Sequence, residues 1–134
     1  MFPCDIDNYF WQNARNDKLD WSVYENGTLS SGTGPTSDVS GNGKYIYMEV
    51  SSFGFFGIGT CSPGDEAVLV SNCMTIDTKN TDTCHVSFNY HMFGSGIGDL
   101  KFQITTDGIN WTNIWTKTGN QGDQWFETKL SLTP

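Results

Sequence analysis

The chain has 134 residues, enough for one domain with a core of its own and too few for two. Charged residues make up only 16% and aromatics 14%, while Gly numbers 15, a balance rich in strand-formers and turn-formers and poor in helix-formers. The formal net charge of −8, with basic residues scattered singly, leaves no patch to neutralise a phosphate backbone and excludes nucleic acid as a partner, and no run is apolar enough to cross a bilayer.

Apolar and polar residues alternate with period two almost wherever a pattern can be read, and no segment keeps a helical period for three turns. Met1-Phe2-Pro3-Cys4 lacks the basic and hydrophobic regions of a signal peptide. Asp20 to Tyr24 reads as a short strand. Lys44 to Ser51 reads as a longer one, with Ile46, Met48 and Val50 on one face and Tyr45, Tyr47 and Glu49 on the other. Glu66 to Cys73 follows. Cys84 to Met92 is the cleanest strand, Val86, Phe88, Tyr90 and Met92 facing one way and His85, Ser87, Asn89 and His91 the other. Leu100, Phe102 and Ile104 mark the next, and Asp107-Gly108 supplies a turn before Trp111 to Lys117, predicting a hairpin. The last strand runs from about Trp125 to Leu132. Between strands lie loops such as Ser30-Ser31-Gly32-Thr33-Gly34-Pro35. Short strands separated by turns imply a sandwich or barrel.

The four cysteines, Cys4, Cys61, Cys73 and Cys84, contain no C-x-x-C pair and no partnered His spacing, which favours two disulfides and an oxidising compartment over zinc or redox chemistry. Spacing alone leaves their connectivity open. Asn26-Gly27-Thr28 and Asn110-Trp111-Thr112 are candidate glycosylation sequons, compatible with a secreted glycoprotein.

Leu19-Asp20-Trp21, Ser31 to Pro35 and Gly43 to Glu49 occur in an order that resembles the MAM domain, the module of meprins, neuropilins and receptor tyrosine phosphatases. The second half is closer still. Cys84-His85-Val86-Ser87-Phe88-Asn89-Tyr90-His91-Met92 with Gly94, Gly98 and Leu100 is similar to the family's C-x-L-S-F-x-Y-H-M-x-G-x-x-x-G-x-L stretch, and Gly119 to Trp125 to its G-x-Q-G-x-x-W. The resemblance spans about Cys4 to Leu132 and implies an all-β, two-sheet antiparallel jelly-roll sandwich, a single domain over 1–134 belonging to a larger extracellular protein.

Departures bear on what carries over. The family's early second cysteine is absent, whereas Cys61 and Cys73 are extra. From the resemblance, Cys4 would pair with Cys84, leaving Cys61 with Cys73. The family continues into two closing strands, while this chain stops at Pro134, which implies a sheet open at its C-terminal edge for a partner strand. The Thr105 to Trp111 hairpin is in the style of bacterial members of the type.

In the family, acids matching Asp7 and Asp38, with a third from the closing strands, hold calcium, a hard cation suited to oxygen ligands. The other reading is that both acids cap turns, and Glu49 is a weaker third candidate. His85 and His91 share a face but lie too far apart to chelate one ion alone, so packed or hydrogen-bonded histidines are expected. Among the tryptophans, Trp21 and Trp125 belong to structural motifs. Trp111 and Trp115, expected on one strand face, are the candidates for a ligand contact such as sugar stacking. Phe53, Phe55 and Phe56, in the run Phe53 to Ile58, either plug one end of the sandwich or form an exposed apolar contact patch. No nucleophile elbow or acid pair suggests catalysis, and Thr106 to Trp111 is one residue short of the sialidase Asp-box and occurs once.

The expectation is a non-catalytic extracellular or cell-surface adhesion module that contacts another protein or its own copy, with calcium as a structural element. The alternative is a carbohydrate-binding module attached to a secreted hydrolase; a coplanar exposed Trp pair would favour it. No direct membrane insertion is expected.

Overall fold

The computed structural model describes residues 11–49, 61–73 and 84–132, which hold eight β-strands and no helix. The strands are β1 (Trp11–Asn13), β2 (Ser22–Tyr24), β3 (Tyr45–Tyr47), β4 (Leu69–Ser71), β5 (His85–His91), β6 (Asp99–Ile104), β7 (Thr112–Thr118) and β8 (Trp125–Ser131). They form antiparallel ladders β1–β4, β2–β3, β5–β8 and β6–β7. The chain is all-β and of the jelly-roll sandwich class. No described helix is long and apolar enough to cross a membrane. Its internal contacts cluster into two compact units, one holding β5 to β8 with the Gly32–Pro35 loop, the other β1 to β4.

In the first unit, β5 pairs with β8 from His85↔Ser131 to His91↔Trp125, and the expected alternation holds. Tyr90 and Met92 are buried, with Val86 and Phe88 half-buried beside them. Phe88 stacks on Phe102 of β6 at 5.8 Å between ring centroids and meets Trp115 of β7 edge-on at 5.3 Å. Tyr90 meets Trp115 at 5.2 Å and stacks on its cross-strand neighbour Phe126 at 5.4 Å. These rings join the two ladders face to face, and offset and edge geometries are those that aromatic quadrupoles favour.

The turns of this unit are fastened by backbone bonds. Gln121 N donates to Met92 O at 2.7 Å, Gly119 N to Gly98 O at 2.9 Å, and the Gln121 amide to Thr118 O at 2.9 Å, so the Gly119 to Trp125 motif is a clip joining the ends of β5, β6 and β7 to β8. Gly34 N and the Thr33 hydroxyl both donate to Phe93 O. Gly94 lies beneath them at φ +137°, and a Cβ there would fall 2.5 Å from Thr33 Oγ1, so only Gly permits this approach.

In the second unit, β1 is a strand the alternation does not reveal. It forms because the Asn13 amide bonds both the N–H and the C=O of Trp21 (2.9 and 3.0 Å), while β4 pairs along Trp11↔Ser71 to Asn13↔Leu69. Trp21 Nε1 donates to Ala67 O, and Lys18 meets Asp65 at 2.7 Å. The Lys18 hydrogen bond, with help from Ser62 N, holds the Asp65 carboxyl below its ordinary range. β3 is shorter than expected, and of its two faces the tyrosine face is the covered one. Tyr45 is buried against Tyr24 and Tyr47, whereas Ile46 and its cross-strand partner Val23 face outward at 46% and 65% exposure. Burial raises the pKa of both Tyr45 and Tyr47, and Tyr45 donates its hydroxyl to Asn26 O at 2.5 Å.

Candidate functional site

The β6–β7 hairpin carries the most defined exposed feature. Its turn is built by Asp107, whose Oδ1 accepts from Ile109 N (2.8 Å), Asn110 N (2.7 Å) and Thr105 Oγ1 (3.0 Å), and whose Oδ2 accepts from Asn110 Nδ2 (2.7 Å). These donors favour the carboxylate and hold its pKa far below the ordinary value, the Asn110 N–H first. Gly108 takes φ +73°, the left-handed conformation the turn requires. On this rigid tip Ile109 is 76% and Trp111 44% exposed.

Trp111 and Trp115 do not share a face. Phe102 pairs with Trp115 but Gln103 pairs with Asn113, so Ile114 is an extra residue in β7. A one-residue bulge reverses the parity of everything beyond it. Trp115 therefore packs inward on Phe88 and Tyr90, and Trp111 stands on the other side at the hairpin tip. The tryptophan platform expected from strand alternation is thus corrected.

The Asp38 to Gly43 loop is the second candidate. Asp38 Oδ1 accepts from Gly43 N at 2.7 Å, the chief reason its pKa is lowered, and Ser40 Oγ lies 2.8 Å from Asp38 Oδ2 and 3.1 Å from Asn42 Oδ1. Neighbouring oxygens in a calcium shell of ~2.4 Å radius sit about this far apart, and Asp-x-Ser-x-Asn-Gly places oxygen donors at alternate positions as calcium loops do. A Cβ on Gly43 would come 2.5 Å from Asp38 Oδ2, so the cradle closes over a glycine. These are oxygen donors of the kind a calcium ion takes, here joined to one another by hydrogen bonds from the Ser40 hydroxyl. Asn42 went unnoticed in the sequence, although the alternate spacing from Asp38 could have pointed to it. Among the described residues no three of His, Cys, Asp and Glu converge, so an ion here would lean on neutral oxygens. Glu49 accepts instead from Ser30 Oγ (3.1 Å). Asp7 lies outside the described residues, as do Cys4 and Phe53, Phe55 and Phe56.

His91 is packed and hydrogen-bonded. Its side chain is 3% exposed, Nε2 lies 3.2 Å from Asp123 Oδ1, and the ring meets Trp125 and Phe93 edge-on. His85 is exposed at the other end of β5. The cysteine pairing taken from the family is corrected: Cys61 and Cys84 are free, and Cys73 is disulfide-bonded, so neither Cys4 to Cys84 nor Cys61 to Cys73 forms. Of the sequon asparagines, Asn26 is exposed with its side-chain amide unbonded among the described residues, whereas Asn110 is tied to Asp107.

An all-β sandwich with a rigid exposed hairpin belongs to the class of antiparallel modules whose chemistry lies in loops and surfaces. Within that class the pattern of the MAM domain, meprin/A5/mu, matches residues 3–134, and the chain belongs to this family. Neuropilin-1 of Xenopus laevis is 33% identical over 126 residues, covering 91% of this chain and 12% of that protein. MAM domain-containing glycosylphosphatidylinositol anchor protein 2 of Homo sapiens is 31% identical over 131 residues, covering 88% and 13%. MAM domain-containing glycosylphosphatidylinositol anchor protein 1 of Homo sapiens is 32% identical over 126 residues, covering 88% and 12%. The chain thus spans about an eighth of the length of these relatives.

Proposed function

We propose that this domain is a non-catalytic recognition and adhesion module at the cell surface or outside the cell, which contacts another protein or a second copy of itself through the β6–β7 hairpin tip. The observation that carries the reading is Ile109 and Trp111, large apolar side chains exposed on a turn that Asp107 holds rigid. An anchor already in its bound shape loses little conformational freedom on binding, and Trp is favoured at the centres of protein contacts. Likeness to proteins whose names record a glycosylphosphatidylinositol anchor supports the location. The bulge at Ile114 counts against the carbohydrate-module alternative, because a stacking platform needs the two tryptophans on one face.

Beads coated with the domain should bind one another or bind cells, and Ile109→Asp and Trp111→Asp should weaken that binding at unchanged melting temperature. If trypsin treatment of the cells leaves binding intact while glycosidases abolish it, the protein partner is wrong. Calcium enters the proposal as a structural ion held by Asp38, Ser40 and Asn42, where it would neutralise the carboxylate and tie the loop together. Melting should then be higher with calcium than with chelator, and the difference should vanish in Asp38→Ala. Coincident wild-type melts would remove the ion from the proposal.

A further inference from the structure

Val23 is 65% exposed, and Ile46, directly across the ladder from it, is 46% exposed. Beside them lies a hollow of about 250 Å³ lined by Val23, Tyr24, Glu25, Asn26 and Lys44. Asn26 stands on its rim and opens the triplet Asn26-Gly27-Thr28. We infer that Asn26 carries an N-linked oligosaccharide whose first N-acetylglucosamine rests in this hollow and screens the Val23 and Ile46 surface. The inference rests on the extracellular reading above, since the modification belongs to the secretory route.

The chemistry is a transfer from a lipid-linked diphosphate oligosaccharide. The Asn26 amide nitrogen attacks the anomeric carbon of the donor's first sugar. An N–C bond forms, the C–O bond to phosphate breaks with its electron pair leaving on the diphosphate, and one amide proton is lost. Nothing is oxidised or reduced.

Timing separates the two sequons. The backbone of Asn26 is secured by Tyr45, 19 residues further along, which at ~5–20 residues per second emerges roughly 1–4 s later. During that interval Asn26 is unstructured and open to the transferase. Asn110 differs, because its turn partners Thr105 and Asp107 precede it and are already synthesised when it appears. Asn110 waits only for the nearby strand Thr112–Thr118, after which the hairpin closes in ~1–10 μs, so its amide is drawn into the turn sooner after synthesis than Asn26 is secured. In the folded domain Asn110 Nδ2 remains committed to Asp107 at 2.7 Å, and Asn110 stays unmodified.

The test expresses the full chain behind a cleavable secretion signal in mammalian cells, and analyses medium and cell lysate separately. Peptide-N-glycosidase treatment in heavy-oxygen water marks each occupied asparagine by conversion to labelled Asp. The label is expected at Asn26 alone. The glycan mass should be lost completely in Asn26→Gln and Thr28→Ala and kept in full in Asn110→Gln. A label at Asn110 instead, or at neither asparagine in either pool, overturns the inference. Label at Asn26 in chain that stays inside the cell supports it and counts against the extracellular reading, so the two fail separately. Removing the glycan from the folded protein should increase binding of a hydrophobic dye several-fold, and unchanged dye binding overturns the screening role.

Discussion

The placement of Trp115 inside and Trp111 outside can be tested by truncating each to alanine. A tryptophan buries roughly 150–250 Å², which at ~25 cal/mol per Å² amounts to about 4–6 kcal/mol if the ring is fully covered. Trp115 is half-buried but contacts Phe88 and Tyr90 edge-on at 5.3 and 5.2 Å and occupies the junction of two ladders. Trp115→Ala should therefore cost about 3–4 kcal/mol, within the range of large aromatic truncations. Trp111, 44% exposed at the hairpin tip, leaves no cavity between sheets, and Trp111→Ala should cost about 1 kcal/mol or less. Urea unfolding followed by far-ultraviolet circular dichroism measures both differences, and the melting temperature should fall by ~10 °C or more for Trp115→Ala against a few degrees for Trp111→Ala. Equal losses would mean that Trp111 also packs inward, that β7 runs without a bulge at Ile114, and that the proposed contact surface has been misplaced.

Acid should destabilise the domain chiefly below about pH 4. Asp38, Asp65 and Asp107 all have lowered pKa values, so their stabilisation is present above the unfolded carboxylate value near 3.9 and is lost as pH falls through the folded values; Asp107→Asn should flatten the acid limb of a stability–pH curve, and an unchanged limb would contradict the turn chemistry. Maleimide labelling without reductant, read by peptide mapping, should mark Cys61 and Cys84 and spare Cys73, whereas a labelled Cys73 would refute the cysteine assignment.

Sequence legibility followed the strength of local signals. β5 was plain because Val86, Phe88, Tyr90 and Met92 alternate without interruption, and the Asp107-Gly108 turn was plain because few residues serve there. β1 carried no such signal; its three residues are held by the Asn13 amide and a strand far along the chain, neither of which leaves a period in the sequence. The bulge was invisible for a related reason, since an extra residue shows only against the partner strand, and Trp111 and Trp115 look coplanar until Gln103 is seen opposite Asn113. Ile109 was overlooked although an isoleucine immediately after Asp-Gly, where polar residues are usual, is itself a signal. The cysteines failed differently, because a pairing borrowed from relatives does not survive a change in where the cysteines stand.

The Gly32–Pro35 segment has a bearing on how such a domain can be cut, spliced or reused. It belongs to the unit of β5 to β8, bonded through Thr33 to Phe93 across 60 residues, yet the stretches on either side of it belong to the other unit. Neither unit is therefore a continuous stretch of polypeptide. No single cleavage releases one intact, and neither can be transplanted into a fusion without carrying part of the other. Recombination, whether in a genome or at the bench, can move this domain only whole.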